Sequence, residues 1–500
     1  MTMDLNNRIT KSELEAYLWG AAVRLRGLID AGNYKGYIFP LLFLKRISDV
    51  WDEEYEKALQ IYQGDFSLSL LHENFTFNIP EGCHWRDIRE TTSDVGRKIQ
   101  NSMREIESKN ISSLGGVFGD ADWTNKDLLA DSMLIDIVEH FSTQDLRLER
   151  LPEDELGNGY EYLIKKFADD SGHTAQEFYT NRTLVHLMTT LLNLKPGESI
   201  YDPTCGTGGM LISCADEIRR QGFEHRTLKL YGQELNYTTA SIAKMNLFLH
   251  GIEDGMVAHG DTLSSPSFLD KGAQLQTFDV VLANPPYSIK NWDRESFAKD
   301  PFGRNVWGLP PQGRADYAFF QHVACSLNPK TGRAAILFPH GVLFRQEEKE
   351  MREQLVKSGL LEAVIGLGPG LFYNAPMESV VVILNKQRTL AERKEIYFIN
   401  AVNEVTKEQG GTFLSSLNQQ KIQNAYSSKV DISGFSRAVK SSEIESNGYS
   451  LALPLYVESQ YIAQAVPEPE LPELIERFQT NSKNALFDLE LFLKVQNAKR

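Results

Sequence analysis

Two periodicities divide the chain. Up to about residue 165, apolar residues recur at helical spacing in Leu14–Trp19, Ala21–Leu28 and Tyr37–Trp51, the last of these helical from Pro40. The same spacing returns in Val95–Ile106, Leu128–Phe141 and Gly159–Phe167, with polar loops between. Ser171–Thr174 is small and polar and reads as a linker. From Ser199 onward, short apolar runs alternate with amphipathic stretches. Ser199–Asp202, Leu228–Glu234, Met256–His259 and Val280–Ala283 read as strands, with helices over Met210–Arg220 and Tyr237–His250. Further strands are expected at Ala334–Pro339, Leu361–Gly366 and Val380–Leu384. The pattern predicts an α/β fold, a doubly wound, mostly parallel seven-stranded sheet. It also predicts three parts: a helical N-terminal domain over 1–168, the sheet domain over 169–400, and a docking region with a helical tail over 401–500. In the last part Asn447–Tyr456 reads as a docking segment, and Leu471–Arg500 carries apolar residues on one helical face.

The strands end on polar residues. Asp202, Glu234, Asp261 and Asn284 recur at roughly the 30-residue spacing of βα units, so all four fall on one rim of one sheet. After Asp202 comes Pro203-Thr-Cys-Gly-Thr-Gly-Gly209, whose glycines let the main chain approach a ligand at a helix N-terminus. No lysine follows, so this is not a GxxxxGK[ST] phosphate loop, nor is it GxGxxG. An Asp just before the glycines suits a ligand with an amino-acid end, and Glu234 suits two ribose hydroxyls. Asp261 suits an adenine amino group. The fourth strand stops at Asn284-Pro-Pro-Tyr287, because two prolines cannot continue a ladder. That corner offers the Asn284 side-chain oxygen and the Pro285 carbonyl to an amino group, and the Tyr287 ring to a flat heterocycle. Together these parts describe S-adenosylmethionine beside an aromatic amine.

Charge and composition narrow the setting. No segment approaches about 18 uninterrupted apolar residues, the length of a membrane-crossing helix. Four scattered cysteines (Cys83, Cys205, Cys214, Cys325) without a CxxC pair suggest a reducing cytoplasm and no zinc site. A polar N-terminus lacks the apolar core of a secretory signal. The net charge of -15 makes the isolated chain a poor nonspecific binder of polyanions. A DNA substrate would therefore require segregated charge or a partner. Ser288–Arg314 is long, rich in Gly and Pro, and carries Lys290, Arg294, Lys299, Arg304 and Arg314 among aromatic residues. It reads as a loop that wraps nucleic acid, or else as a mobile insertion. Arg24, Arg26, Lys45 and Arg46 form either a solvated face or phosphate contacts.

The chain resembles the modification (methyltransferase) subunits of type I restriction–modification systems over nearly its whole length. The resemblance is carried by Leu18-Trp19 to Asp49, Leu156-Gly157 to Phe167, Glu177 to Arg182 and Asp202 to Gly209. It continues through Gly232 to Glu234, Gly260-Asp261, Asn284 to Tyr287, Gly308 to Tyr317 and Leu371 to Asn374. It implies a Rossmann-like S-adenosylmethionine-dependent methyltransferase fold and N6-adenine methylation of double-stranded DNA. Carried over by position, the cofactor would be bound by Glu177, Phe178, Tyr179, Thr180, Asn181, Arg182, Asp202, Thr207, Gly208, Gly209, Glu234 and Asp261. The catalytic corner would be Asn284, Pro285, Pro286 and Tyr287. The family usually has Thr-Pro-Arg where this chain has Thr180-Asn181-Arg182, and either Thr180 or Asn181 suits a helix N-cap. The resemblance further implies a separate specificity subunit, a second copy of this chain in the complex, and optional restriction subunits.

The expected mechanism begins with base flipping, because N6 is unreachable inside the stack. Asn284 and Pro285 hold the amino group while Tyr287 stacks on the extruded base, so catalysis is mostly orientation and electrostatics, with no metal. The same corner also serves methyltransferases acting on cytosine N4, RNA or protein glutamine. A cofactor-binding scaffold without turnover is the competing reading from another class.

Overall fold

The computed structural model describes residues 8–25, 34–171, 180–371, 378–408 and 411–458. Glu177, Phe178, Tyr179, Phe372 to Asn374 and the apolar C-terminal stretch Leu471–Arg500 lie outside the described residues.

Among the described residues the sheet has nine strands, not the seven expected, in the order β11-β8-β6-β7-β5-β4-β1-β2-β3. The seven expected strands are β1 (Ser199–Asp202), β2 (Lys229–Glu234), β3 (Met256–His259), β4 (Val280–Ala283), β5 (Arg333–Pro339), β6 (Leu361–Leu367) and β7 (Ser379–Asn385). The additional strands are β8 (Glu395–Ala401), parallel to β6, and β11 (Ser436–Lys440), antiparallel to β8. They follow a polar stretch after Lys386, yet Ile396, Tyr397, Phe398 and Ile399 are buried and extend the ladder beyond β6. Between them lies the hairpin of β9 (Thr406–Glu408) and β10 (Gly411–Phe413). β7 runs antiparallel to both β5 and β6, and the remaining pairs within β1 to β5 are parallel. β4 and β5 are buried along their whole length, as expected of central strands covered on both faces. The segment Asn447–Tyr456 closes this core: Leu451, Leu453 and Tyr456 are buried, and the Tyr456 ring lies 4.5 Å from that of Phe398.

The described residues between 11 and 171 are mainly helical, the longest helices being Lys35–Ile61 and Glu153–Ser171; of the expected stretch Ala21–Leu28, residues 26–28 lie outside the described residues. Lys35–Ile61 starts earlier than expected and carries Pro40 inside it, in its second turn. These helices share one hydrophobic core with Ile242, Met245 and Leu249 from the sheet's helix Tyr237–Leu249. The Leu156-Gly157 pair has a steric basis here. A Cβ on Gly157 would stand 2.7 Å from the His250 ring, so glycine permits the close approach of the two layers. Lys45 and Arg46 are neither a solvated face nor phosphate contacts. Both are buried, Arg46 donating to the carbonyls of Leu146 and Leu151, and Lys45 paired with Asp49. Arg24 donates to the Gly20 carbonyl and pairs with Asp136, while Arg26 lies outside the described residues. No helix among the described residues is long and apolar enough to cross a membrane.

Candidate functional site

β1 and β4 are neighbours in the sheet, with Tyr201 opposite Val281. From β1 the chain winds outward through β2 and β3, and from β4 through β5, so the strand order reverses between them. A crevice opens at the carboxyl ends of strands at such a point, and ligands bind there in open α/β sheets. A cavity of about 640 Å³ occupies this crevice. Its lining includes Thr180, Asn181, Arg182, Asp202, Thr207, Gly209, Glu234 and Asp261, together with Asn284, Pro285, Pro286 and Tyr287. Gly208 is not in the lining but caps the helix Gly209–Arg220 from the left-handed region, at φ 82°, which a glycine adopts without strain.

The glycine turn is fixed from three sides. Glu234 accepts from the Gly206 amide at 3.0 Å and from the Asn236 amide at 2.8 Å. Asp202 accepts from the Thr204 amide at 3.0 Å. The buried Asn246 side chain donates to the Thr207 carbonyl at 2.8 Å. The turn therefore presents main chain and small side chains to the cavity. Asp261 accepts from the Leu263 amide at 2.9 Å, which shapes the loop after β3.

Asn181 is the N-cap of the helix Arg182–Leu191. Its side-chain oxygen accepts from the Thr183 amide at 3.0 Å, and its amide group donates to the Thr412 carbonyl at 3.0 Å. Thr183 in turn accepts from the Leu414 amide at 2.9 Å, so the segment following β9 is tied to the helix that opens the site. Arg182 donates to the Gly209 carbonyl at 3.1 Å and pairs with Glu161. The role of this guanidinium in the structure is to brace the glycine turn.

At the Asn-Pro-Pro-Tyr corner the Asn284 amide group donates to Thr180 Oγ1 at 3.0 Å, and the Tyr287 hydroxyl donates to Asn284 Oδ1 at 2.6 Å. Thr180 fixes which way the amide faces, leaving Oδ1 on the side of Tyr287. Burial, and then the nearby Asp316 carboxylate, hold the Tyr287 phenol well above its ordinary pKa, so it remains a neutral donor.

Asp202 is 2% exposed, and burial pushes its carboxyl up to about 8, with the nearby Glu234 charge adding to the effect. A carboxyl raised on folding binds its proton more tightly in the folded state. Its contribution to stability is complete below the ordinary carboxylate range and is lost as pH rises through about 8. The expected outcome is that Asp202→Asn gains thermal stability relative to the parent between pH 5 and pH 8 and gains no more above that range. Melting curves without ligand check this, and a pH-independent difference would refute the assignment.

Several lining residues were not singled out as site residues in the sequence: Met210, Asn236 and Phe319, and Leu371, which figured only in the family resemblance. Ile289 and Trp292 also line the cavity. They come from the stretch Ser288–Arg314, which is neither a long unstructured loop nor a wholly basic surface. It contains the helix Arg294–Ala298, and Phe297 and Trp307 are buried. Arg304, 1% exposed, turns inward onto the carbonyls of Thr262 and Leu263. Arg294 donates to the Pro310 carbonyl at 2.7 Å and Arg314 pairs with Glu347 at 2.9 Å, while Lys290 and Lys299 are exposed.

Comparison with known proteins places this geometry. The N-6 DNA methylase family model matches residues 152–465, and the HsdM N-terminal domain model matches residues 14–141. The type I restriction enzyme MjaVIII methylase subunit of Methanocaldococcus jannaschii is 31% identical, the match covering 91% of this chain and 80% of that one. The MpnII methylase subunit of Mycoplasma pneumoniae is 28% identical over 90% of each chain. The crystal structure of the type I restriction–modification methyltransferase subunit from Streptococcus thermophilus superposes with a TM-score of 0.79 at 30% identity, covering 90% of this chain and all of that one. With both family models side by side on one chain and the relatives matched along most of their length, the chain belongs to the N-6 DNA methylase family, among the methylase subunits of type I restriction enzymes.

Proposed function

We propose that the crevice holds S-adenosylmethionine along the ends of β1, β2 and β3, and an adenine turned out of double-stranded DNA at the end of β4. The chain thereby acts as the N6-adenine methyltransferase subunit of a type I complex, in the cytoplasm. The observation that carries this reading is the hydrogen-bonded Thr180–Asn284–Tyr287 set, opening into the same cavity as Asp202 and Glu234.

The residues present fit such a cofactor. Asp202 is a buried carboxylate without a neighbouring cation among its electrostatic partners, the setting in which a ligand ammonium would restore the ionised form. The Gly206–Gly209 main chain sits beside it, Glu234 stands at the end of β2 for ribose hydroxyls, and Asp261 stands at the end of β3 for an adenine amino group. When bound, the cofactor supplies an electrophilic methyl group on its sulfonium.

The protein's own contribution is orientation. Thr180 locks the Asn284 amide so that Oδ1 is offered to an incoming amino group, which takes over the acceptor that the Tyr287 hydroxyl uses in this structure. Pro285 adds a carbonyl acceptor, and neither proline competes with an N–H. Two acceptors on one amino group draw its nitrogen toward tetrahedral geometry, and the Tyr287 ring supplies a stacking face. Trp292, Phe319 and Leu371 provide an apolar wall that limits water at the crevice.

Sequence reading of the DNA falls to a separate specificity subunit, with a second copy of this chain and restriction subunits as further partners. The rim residues described here are already engaged with the cofactor crevice, and the chain's charge of -15 favours a shared grip on DNA. The test is product analysis. The full chain, assembled with its specificity subunit, is incubated with duplex DNA and methyl-labelled cofactor, and the DNA is hydrolysed to nucleosides. N6-methyl-2′-deoxyadenosine is the expected product. N4-methyl-2′-deoxycytidine, or no label in DNA, would overturn the reading.

A further inference from the structure

The turn carrying Asn284 rests on a carboxylate that the proposed chemistry does not use. Asp316 opens the helix Asp316–Cys325 and is 1% exposed. One of its oxygens accepts from the Ser288 amide at 2.8 Å, and the other accepts from the Arg345 guanidinium at 2.6 Å. Ser288 follows Tyr287 directly and sits at φ 53°, in the left-handed region that residues with side chains rarely adopt. Arg345 comes from the segment after β5, the strand beside β4. It is itself held: its carbonyl accepts from Arg352 at 2.6 Å, and the buried Glu348 carboxylate lies 3.6 Å from its guanidinium. Three neighbouring segments thus converge on one backbone N–H.

A strained residue persists where its surroundings over-determine it, and such residues cluster at sites where direction matters. If Ser288 relaxed to negative φ, the segments on its two sides would change direction relative to one another, and Tyr287 would turn away from Asn284. We propose that Asp316, oriented by Arg345, is a positioning residue that holds Ser288 left-handed and so aims Tyr287 and Asn284 at the target base. This rests on the reading of Asn284–Tyr287 as the catalytic corner. A buried ion pair serving the fold alone is the alternative, and the two differ in what glycine at position 288 does. Glycine adopts the left-handed region freely, so it substitutes for the restraint but not for a lost fold contact.

The experiment uses the full chain assembled with its specificity subunit and follows single-turnover methylation of duplex DNA alongside S-adenosylmethionine affinity. Asp316→Ala is expected to slow methyl transfer about 100-fold, the scale of a small misplacement at a reacting centre. Cofactor affinity should stay within about twofold, because Asp202 and Glu234 are on other strands. Adding Ser288→Gly should recover roughly tenfold of the lost rate, the scale of one relieved backbone strain. Should Asp316→Ala fail to fold, Asp316→Ala combined with Arg345→Met, which also removes the cation that Asp316 faces, makes the same comparison with and without Ser288→Gly. Recovery by glycine supports the proposal. Wild-type rates in the Asp316 variants, no recovery by glycine, or a parallel fall of rate, affinity and melting temperature would overturn it. An inactive Asn284→Ala beside an Asp316→Ala that glycine does not rescue would sink this proposal alone. A fully active Asn284→Ala would sink the catalytic-corner reading itself.

Discussion

Asn284→Ala should reduce the methylation rate by about 10³-fold while S-adenosylmethionine binds within about twofold of its parent affinity, on the scale seen when one preorganised polar group is removed from a reacting centre. The alanine deletes the acceptor aimed into the crevice and leaves two hydroxyls, Thr180 Oγ1 and Tyr287 Oη, without the amide that joins them. Neither loss touches the glycine turn, which is fixed by Glu234, Asp202 and Asn246. The expected signature is therefore a fall in kcat with little change in cofactor affinity, the pattern of an interaction made in the transition state. Asn284→Asp keeps acceptor oxygens but gives up the donor to Thr180, and should fall between the two. Methylation by the alanine variant at the parent rate would remove Asn284 from the mechanism.

The second large effect is on stability. Arg304→Met should destabilise the protein by about 3–5 kcal/mol, the usual consequence of breaking a buried ion pair from one side. Arg304 donates to Asp300 at 2.6 Å, to the Thr262 carbonyl at 2.8 Å and to the Leu263 carbonyl at 2.6 Å. Its guanidinium also lies 5.4 Å from the Phe297 ring centre and 5.3 Å from that of Phe302. Methionine leaves Asp300, whose side chain is 2% exposed, as an uncompensated buried charge. Arg304→Met with Asp300→Leu should therefore recover most of the loss, because apolar groups replace both partners. Chemical denaturation of the two variants checks this. A single-variant change below about 1 kcal/mol would show that the pair is not an anchor. Because Leu263 follows Asp261 so closely, the single variant should also weaken S-adenosylmethionine binding.

What could be read from the sequence follows from where charge and strand ends fall. Asp202, Glu234, Asp261 and Asn284 were legible as one rim because parallel strands of a wound sheet point the same way, and the structure gathers all four around one cavity. The seven expected strands were legible because short stretches with apolar residues, closed by turn residues, alternate with helical patterns. β11 was not, since Ser436-Arg-Ala-Val-Lys440 is only partly buried and pairs on one side. β8 is apolar, and the polar composition around it concealed a strand that the ladder with β6 makes obvious. Ile289 and Trp292 could not be assigned to the crevice, because the path of Ser288–Arg314 is tied to the burial of Arg304. A charged residue in a Gly-rich and Pro-rich stretch reads as exposed, and the same error placed Lys45 and Arg46 on a surface. Long-range satisfaction of buried cations is a tertiary property that local pattern does not carry.

The apolar seam between the N-terminal helices and Tyr237–Leu249 has a consequence for how such genes can recombine. Ile242, Met245 and Leu249 belong to the helical layer's core although they are encoded far downstream, on the helix between β2 and β3. A crossover that exchanges the first 168 residues between divergent relatives brings in new knobs without their matching sockets. Hybrids that also inherit the donor's 237–249 segment keep both sides of that seam from one parent and should be the more stable.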